Sequence, residues 1–135
     1  MGIRLNQFNL VVRDMAASVA FYRLLGLDIP DPEPEWSAWS DRHRSVAGSE
    51  FALDLDSEEF AREWDTGWVD RPGRMGVLGF HLDSSAEVDE LYGAVVAAGY
   101  VGEQEPYDAA WGSRYAVVQD PDGNPVGLMG PRSTR

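Results

Sequence analysis

Residues 8–26, FNLVVRDMAASVAFYRLLG, and residues 78–99, LGFHLDSSAEVDELYGAVVAAG, follow one plan. Each runs from a short apolar strand to an Asp, then through an amphipathic helix with a Tyr near its middle, and stops at Gly. Asp14 and Asp83 are 69 residues apart, about half of the 135-residue chain. A half-length repeat of this kind means two copies of one supersecondary unit, and it constrains the fold more strongly than any local propensity does. Two curved half-sheets facing each other would leave a cleft, so the repeat also says where to expect a site.

The length fits one compact domain, and a hydrophobic content of 44% is enough to build a core. There is no Cys, which excludes disulfides and thiol chemistry. The first residues, MGIRLNQFNLVV, have neither the charged start nor the long apolar run of a signal peptide or membrane span, so a cytoplasmic protein without membrane contact is expected. All 11 bases are Arg, against 23 acids, for a net charge of −12. That balance reads as a solvated acidic surface, or as an acidic cleft that attracts cationic ligands. It disfavours nucleic acid as a partner, because neutralising phosphates needs a basic face.

Along the chain, Gln7–Val12 alternates as a strand, with Phe8, Leu10 and Val12 towards the core and Gln7, Asn9 and Val11 on the other face. Asp14 caps a helix that runs through Leu25 and ends at Gly26. A very short strand at Leu27–Ile29 precedes the proline-rich loop PDPEP. A strand near Trp36–Asp41, a polar turn over Arg42–Ser49 containing a solvent-exposed His43, and a strand carrying Phe51, Leu53 and Leu55 complete the first module, about 4–56. Residues 57–75 form the linker, which opens with a turn or two of helix capped by Ser57. The second module, about 76–130, repeats the plan. Leu78, Phe80 and Leu82 face a core, a helix starts near Ser84 or Ser85 and ends before Gly99, and a strand lies near Tyr100–Glu103. Strands at Arg114–Gln119 and Val126–Met129 are joined by the turn DPDGN.

The combination of V-x-D, a Ser, an FY pair and LG near the start with YAVVQDPDGNPVGL near the end resembles the vicinal oxygen chelate superfamily of glyoxalase I, the bleomycin-resistance proteins and the extradiol dioxygenases. The resemblance covers nearly the whole chain. It implies an α+β fold of two tandem βαβββ modules whose curved mixed sheets enclose a shared cleft, and a homodimer. In metal-dependent relatives four inward strand positions hold a divalent ion. Matched to this sequence they fall on Gln7, Asp54, Val77 and Gly127. Two of these four offer no side-chain donor, whereas a catalytic ion needs three or more well-placed ligands and an open position. No metal and no cofactor is therefore expected, with Gln7 and Asp54 as the weak alternative pair. His81 lies about 13 Å along the strand from Val77, at roughly 3.3 Å per residue, too far to replace a missing ligand there. A metal held elsewhere by His81, Asp56 and a linker residue stays open.

Trp36, Trp39, Trp64, Trp68 and Trp111 supply broad flat faces suited to aromatic or cationic groups, or to a core or dimer interface. Arg114 pairs with an acid of the ligand, with Asp54 or Asp56, or within a structural salt bridge. Gly79 and Gly127 leave room in the cavity floor. The candidate ligand-binding set is Gln7, Asn9, Trp36, Trp39, Asp54, Trp68, His81, Trp111 and Arg114. The function expected is metal-independent binding of a small aromatic or cationic organic molecule, as in antibiotic sequestration. The alternatives are an isomerase, lyase or dioxygenase using Gln7, Asp54 and His81, and a partner-binding module.

Overall fold

A computed structural model describes residues 7–48, 50–64, 66 and 77–133. The chain divides into two compact units, Met1–Arg71 and Pro72–Arg135. Each is an α+β unit in which a first strand, a helix and a run of further strands follow one another.

In the first unit, β1 (Gln7–Val12) leads into α1 (Met15–Leu24). Asp14 starts the helix by accepting the backbone N–H of Ala17 at 3.0 Å, which satisfies a donor that has no partner within the first turn. Gly26, at φ 105°, takes the left-handed conformation that lets the chain leave the helix. β3 (Ala52–Ser57) returns parallel to β1, and β2 (His43–Ser45) pairs antiparallel on the other side of β3, giving the order β1-β3-β2. α2 (Glu58–Trp64) follows at once, capped by Ser57 Oγ, which accepts from the Phe60 N–H at 3.0 Å. Val12, Val19, Phe21, Tyr22, Ile29 and Leu55 form the buried core.

The second unit has β4 (Leu78–His81), α3 (Ser85–Ala97), β5 (Gly102–Asp108), β6 (Ser113–Gln119) and β7 (Pro125–Pro131), in the sheet order β4-β7-β6-β5. The first strand again lies parallel to the last. Val88 and Val95 of α3 are buried, as are Ala116, Val118, Val126 and Leu128 of the sheet. Ser84 caps α3 by accepting from the Glu87 N–H at 3.1 Å, and Glu87 reaches back to the Asp83 N–H at 3.2 Å. The DPDGN turn closes on the carboxylate of Asp120. It accepts from the N–H groups of Asp122 and Asn124 and from the Asn124 amide, at 2.8–2.9 Å, while Gly123 supplies the left-handed residue at φ 83°.

The half-length repeat is thus visible in the topology. In the first unit, the place that β5 takes in the second is reduced to a single bridge between Asp28 and Ala47. Pro30, Pro32 and Pro34 explain this, because each removes the N–H that a longer strand would need. The expected strand at Trp36–Asp41 does not form. Pro34–Trp39 is a 3-10 helix, with the Trp36 N–H donating to Glu33 O. The third strand falls instead on His43–Ser45, within the stretch read as a polar turn.

Candidate functional site

The parallel register of β1 on β3 sets Asn9 beside Asp54 and Val11 beside Asp56. The antiparallel register of β2 sets His43 opposite Asp56 and Ser45 opposite Asp54. Side chains alternate along a strand, so these registers bring Gln7, Asn9, Asp54, Asp56, His43 and Ser45 to one face. The result is a hydrogen-bonded chain. The Gln7 amide donates to Asn9 Oδ1 at 2.8 Å, and the Asn9 amide donates to Asp56 Oδ2 at 2.9 Å. Asp56 Oδ1 meets His43 Nδ1 at 2.5 Å, and His43 Nε2 lies 3.3 Å from Ser45 Oγ. Asp56 is 1% exposed. A carboxylate is that deeply buried only where donors compensate its lost hydration, and here Asn9 and His43 do so.

Two cavities adjoin this chain, both inside the first unit. One, of about 310 Å³, is lined by the polar face together with Phe60 and Trp64 of α2. The other, of about 500 Å³, is lined by Pro30, Pro32, Trp36, Trp39 and Phe60, with His43 and Ser45 at one side. His43 and Phe60 line both. The aromatic wall is tied together. The Trp39 and Phe60 rings meet edge to face at 5.4 Å, His43 lies 5.8 Å from Phe60, and the Arg42 guanidinium sits 4.9 Å over Trp39 while it pairs with Glu63. At the rim, Asp31 bridges Arg23 and Arg44 at 3.2 and 3.3 Å.

Sequence reading named Gln7, Asn9, Asp54, Trp36 and Trp39 as site candidates, and the fold brings all five to these two cavities. It left out Phe60 and Ser45, and it set His43 in a turn. His43 is instead a strand residue whose ring is fixed by the buried Asp56. The available signal was the run of polar residues on the inner face of two strands, Gln7 and Asn9 on one and Asp54 and Asp56 on the other. Trp68 lies outside the described residues.

The other candidates belong to the second unit. His81 ends β4 and is exposed. Trp111 is 60% exposed and meets Tyr115 at 5.4 Å and Tyr107 at 6.3 Å. Arg114 is engaged within its own unit. It holds Asp89 of α3 at 2.9 Å and lies 3.6 Å from Asp108, and the hydrogen bond to Asp89 raises its pKa further. The Asp108 carboxyl is held below the usual carboxylate range, chiefly by the Ser133 backbone N–H. Arg114 is thus a brace between helix and sheet.

Of the four positions that the resemblance assigns to a metal, Val77 and Gly127 carry no side-chain donor, and Gln7 and Asp54 do. Gln7 donates its amide N–H to Asn9 and keeps its Oε1 as the atom that could ligate, whereas Val77 is 53% exposed and has no donor atom. The space beside Gly127 is taken by Tyr115, since a Cβ added there would meet the Tyr115 hydroxyl at 2.7 Å and its ring at 3.1–3.2 Å. Gly79, paired with Gly127, is open, with nothing within 4 Å of such a Cβ. Among the described residues, no three His, Cys, Asp or Glu side chains cluster in a way that would hold an ion.

Comparison with known proteins places this architecture. Residues 4–128 match the family model described as the Glyoxalase/Bleomycin resistance protein/Dioxygenase superfamily. A hypothetical protein from S. aureus superposes with a TM-score of 0.78 at 23% identity, over 96% of this chain and 95% of that one. A family enzyme from Burkholderia phytofirmans PsJN gives 0.78 at 23% identity, over 93% and 97%. A lactoylglutathione lyase from Agrobacterium tumefaciens gives 0.66 at 24% identity, over 94% and 92%. No curated protein matches.

Proposed function

Because the chain belongs to the glyoxalase/bleomycin resistance/dioxygenase superfamily, whose name joins enzymes to a resistance protein, we propose that its own pocket decides its role: metal-independent binding of a planar aromatic organic molecule. The observation that carries this reading is the cavity of about 500 Å³ walled by Trp36, Trp39 and Phe60. Its volume lies in the range of small-molecule sites, and the apolar wall with a few polar groups at one side is the usual composition of such sites. Of the two carboxylates that line this cavity, Asp31 is paired with Arg23 and Arg44, and Glu33 adds negative charge that would suit a cationic group on the aromatic ligand. Sequestration of an aromatic antibiotic or metabolite is the role this favours, in a cytoplasmic protein acting as a homodimer. Among the described residues no helix is long and apolar enough to cross a membrane.

The test is a titration of planar aromatic antibiotics and metabolites, followed by intrinsic Trp fluorescence. Trp36→Ala or Trp39→Ala should weaken binding roughly tenfold or more, as expected when an aromatic anchor is removed. Affinities unchanged in both variants would place the ligand elsewhere. Light scattering checks the dimer separately.

A further inference from the structure

The two cavities meet at His43, and the groups around it make an ordered series. Asp56 Oδ1 lies 2.5 Å from His43 Nδ1, and His43 Nε2 lies 3.3 Å from Ser45 Oγ. A buried ionised carboxylate only accepts hydrogen bonds, so it fixes the proton on Nδ1. Nε2 is left as an acceptor facing a hydroxyl. Asn9 holds the second carboxylate oxygen at 2.9 Å, which keeps Asp56 from turning away. We propose that Ser45, His43 and Asp56 form an acyl-transfer site that cleaves aromatic esters seated against Trp36 and Trp39, with Ser45 as nucleophile, His43 as general base and Asp56 as positioning residue.

The spacing is that of a nucleophile and its base before substrate tightens the contact. Strand geometry supplies a further element. Val46 N–H donates to Leu53 O and Ser57 N–H donates to Arg42 O, so the alternation of the ladder turns the N–H groups of His43 and Ser45 away from β3. They point to the edge where Ala47 meets Asp28 and where Arg44 holds Pro30 O, which is the pocket side. The Ser45 N–H is there a donor for the oxyanion that forms as its own Oγ attacks.

In the first step Ser45 Oγ bonds to the ester carbonyl carbon and its proton passes to His43 Nε2. The ester C–O bond then breaks and the alcohol leaves with that proton. In the second step water adds to the acyl-Ser45 carbonyl, giving its proton to His43. The acid is released and Ser45 Oγ regains the proton.

This inference shares the pocket of the preceding reading, but it can be tested apart from it. Purified full-length protein is treated with a fluorophosphonate and the modified residue is located by peptide mass spectrometry. Turnover of p-nitrophenyl butyrate is followed in parallel. Label is expected on Ser45, and Ser45→Ala should abolish turnover. His43→Gln and Asp56→Asn, each confirmed as folded by circular dichroism, should each slow labelling by roughly a hundredfold or more. No label on Ser45 of the folded wild-type protein would overturn the site, and so would label that is insensitive to His43→Gln. Labelling at the full rate in Asp56→Asn would reduce Asp56 to a structural role and break the series. Because the phosphonate needs no aromatic group, failure here leaves the fluorescence titration standing, and the reverse also holds.

Discussion

Asp56 is the buried centre of the hydrogen-bonded series. It is buried at 1% exposure and satisfied by Asn9 and His43. Truncation to Ala would leave both partners facing an empty space, at a cost of about 1–3 kcal/mol in urea denaturation. Gly127 gives a second prediction at this scale. Its missing side chain is replaced by the Tyr115 phenol, whose oxygen lies 2.7 Å from where a Cβ would be. Gly127→Glu would therefore overpack the sheet and cost about 1–3 kcal/mol. Tyr115→Phe in the same background should recover part of that loss, since the nearest atom goes with the hydroxyl. Equal stabilities of Gly127→Glu and wild type would show that the phenol moves freely. The metal-poor character of Val77 and Gly127 was legible from residue identity alone. The filling of the Gly127 space was not, because it depends on Tyr115 reaching across from β6.

At the scale of elements, local chemistry placed what was local. Asp14 before a periodic apolar stripe marked α1, Ser57 marked α2, and Asp-Pro-Asp-Gly marked the last turn. Asp14→Ala and Ser84→Ala should each lower stability by about 1 kcal/mol through lost caps, read as a shift in the urea midpoint at constant slope. What misled was the stretch 34–45. A strand is expected near Trp36–Asp41, but Pro34 presets the first turn of a 3-10 helix, and the strand falls instead on three polar residues. A three-residue polar strand carries no period to read. His43 was missed for that reason, since its partner Asp56 is set by register across thirteen residues. Asp108, at the end of β5, adds a pH prediction. Its folded-state pKa is lowered by the Ser133 N–H, so its contribution to stability is present above the ordinary carboxylate value. That contribution is lost as pH falls through the lowered one. Wild type should therefore lose stability on acidification below about pH 4, and Asp108→Asn should lose less over that window. Identical acid profiles of the two would contradict the linkage.

For the whole molecule, the repeat seen in sequence is the repeat seen in topology: two units, each with its first strand parallel to its last. Family membership fixes that architecture without fixing the chemistry, because function resides in the site. Here the donors expected for an ion are replaced by Val77 and Gly127, while the first unit presents an aromatic cavity and a buried hydrogen-bonded series. The central claim is that aromatic contact, with no ion, supplies the affinity. The most direct measurement is calorimetric titration of the tightest aromatic ligand into protein dialysed against chelator, repeated after zinc and manganese are restored. The account predicts the same affinity in both, with no metal retained after gel filtration. Binding that appears only on restoring the ion, with one metal retained per chain, would contradict it.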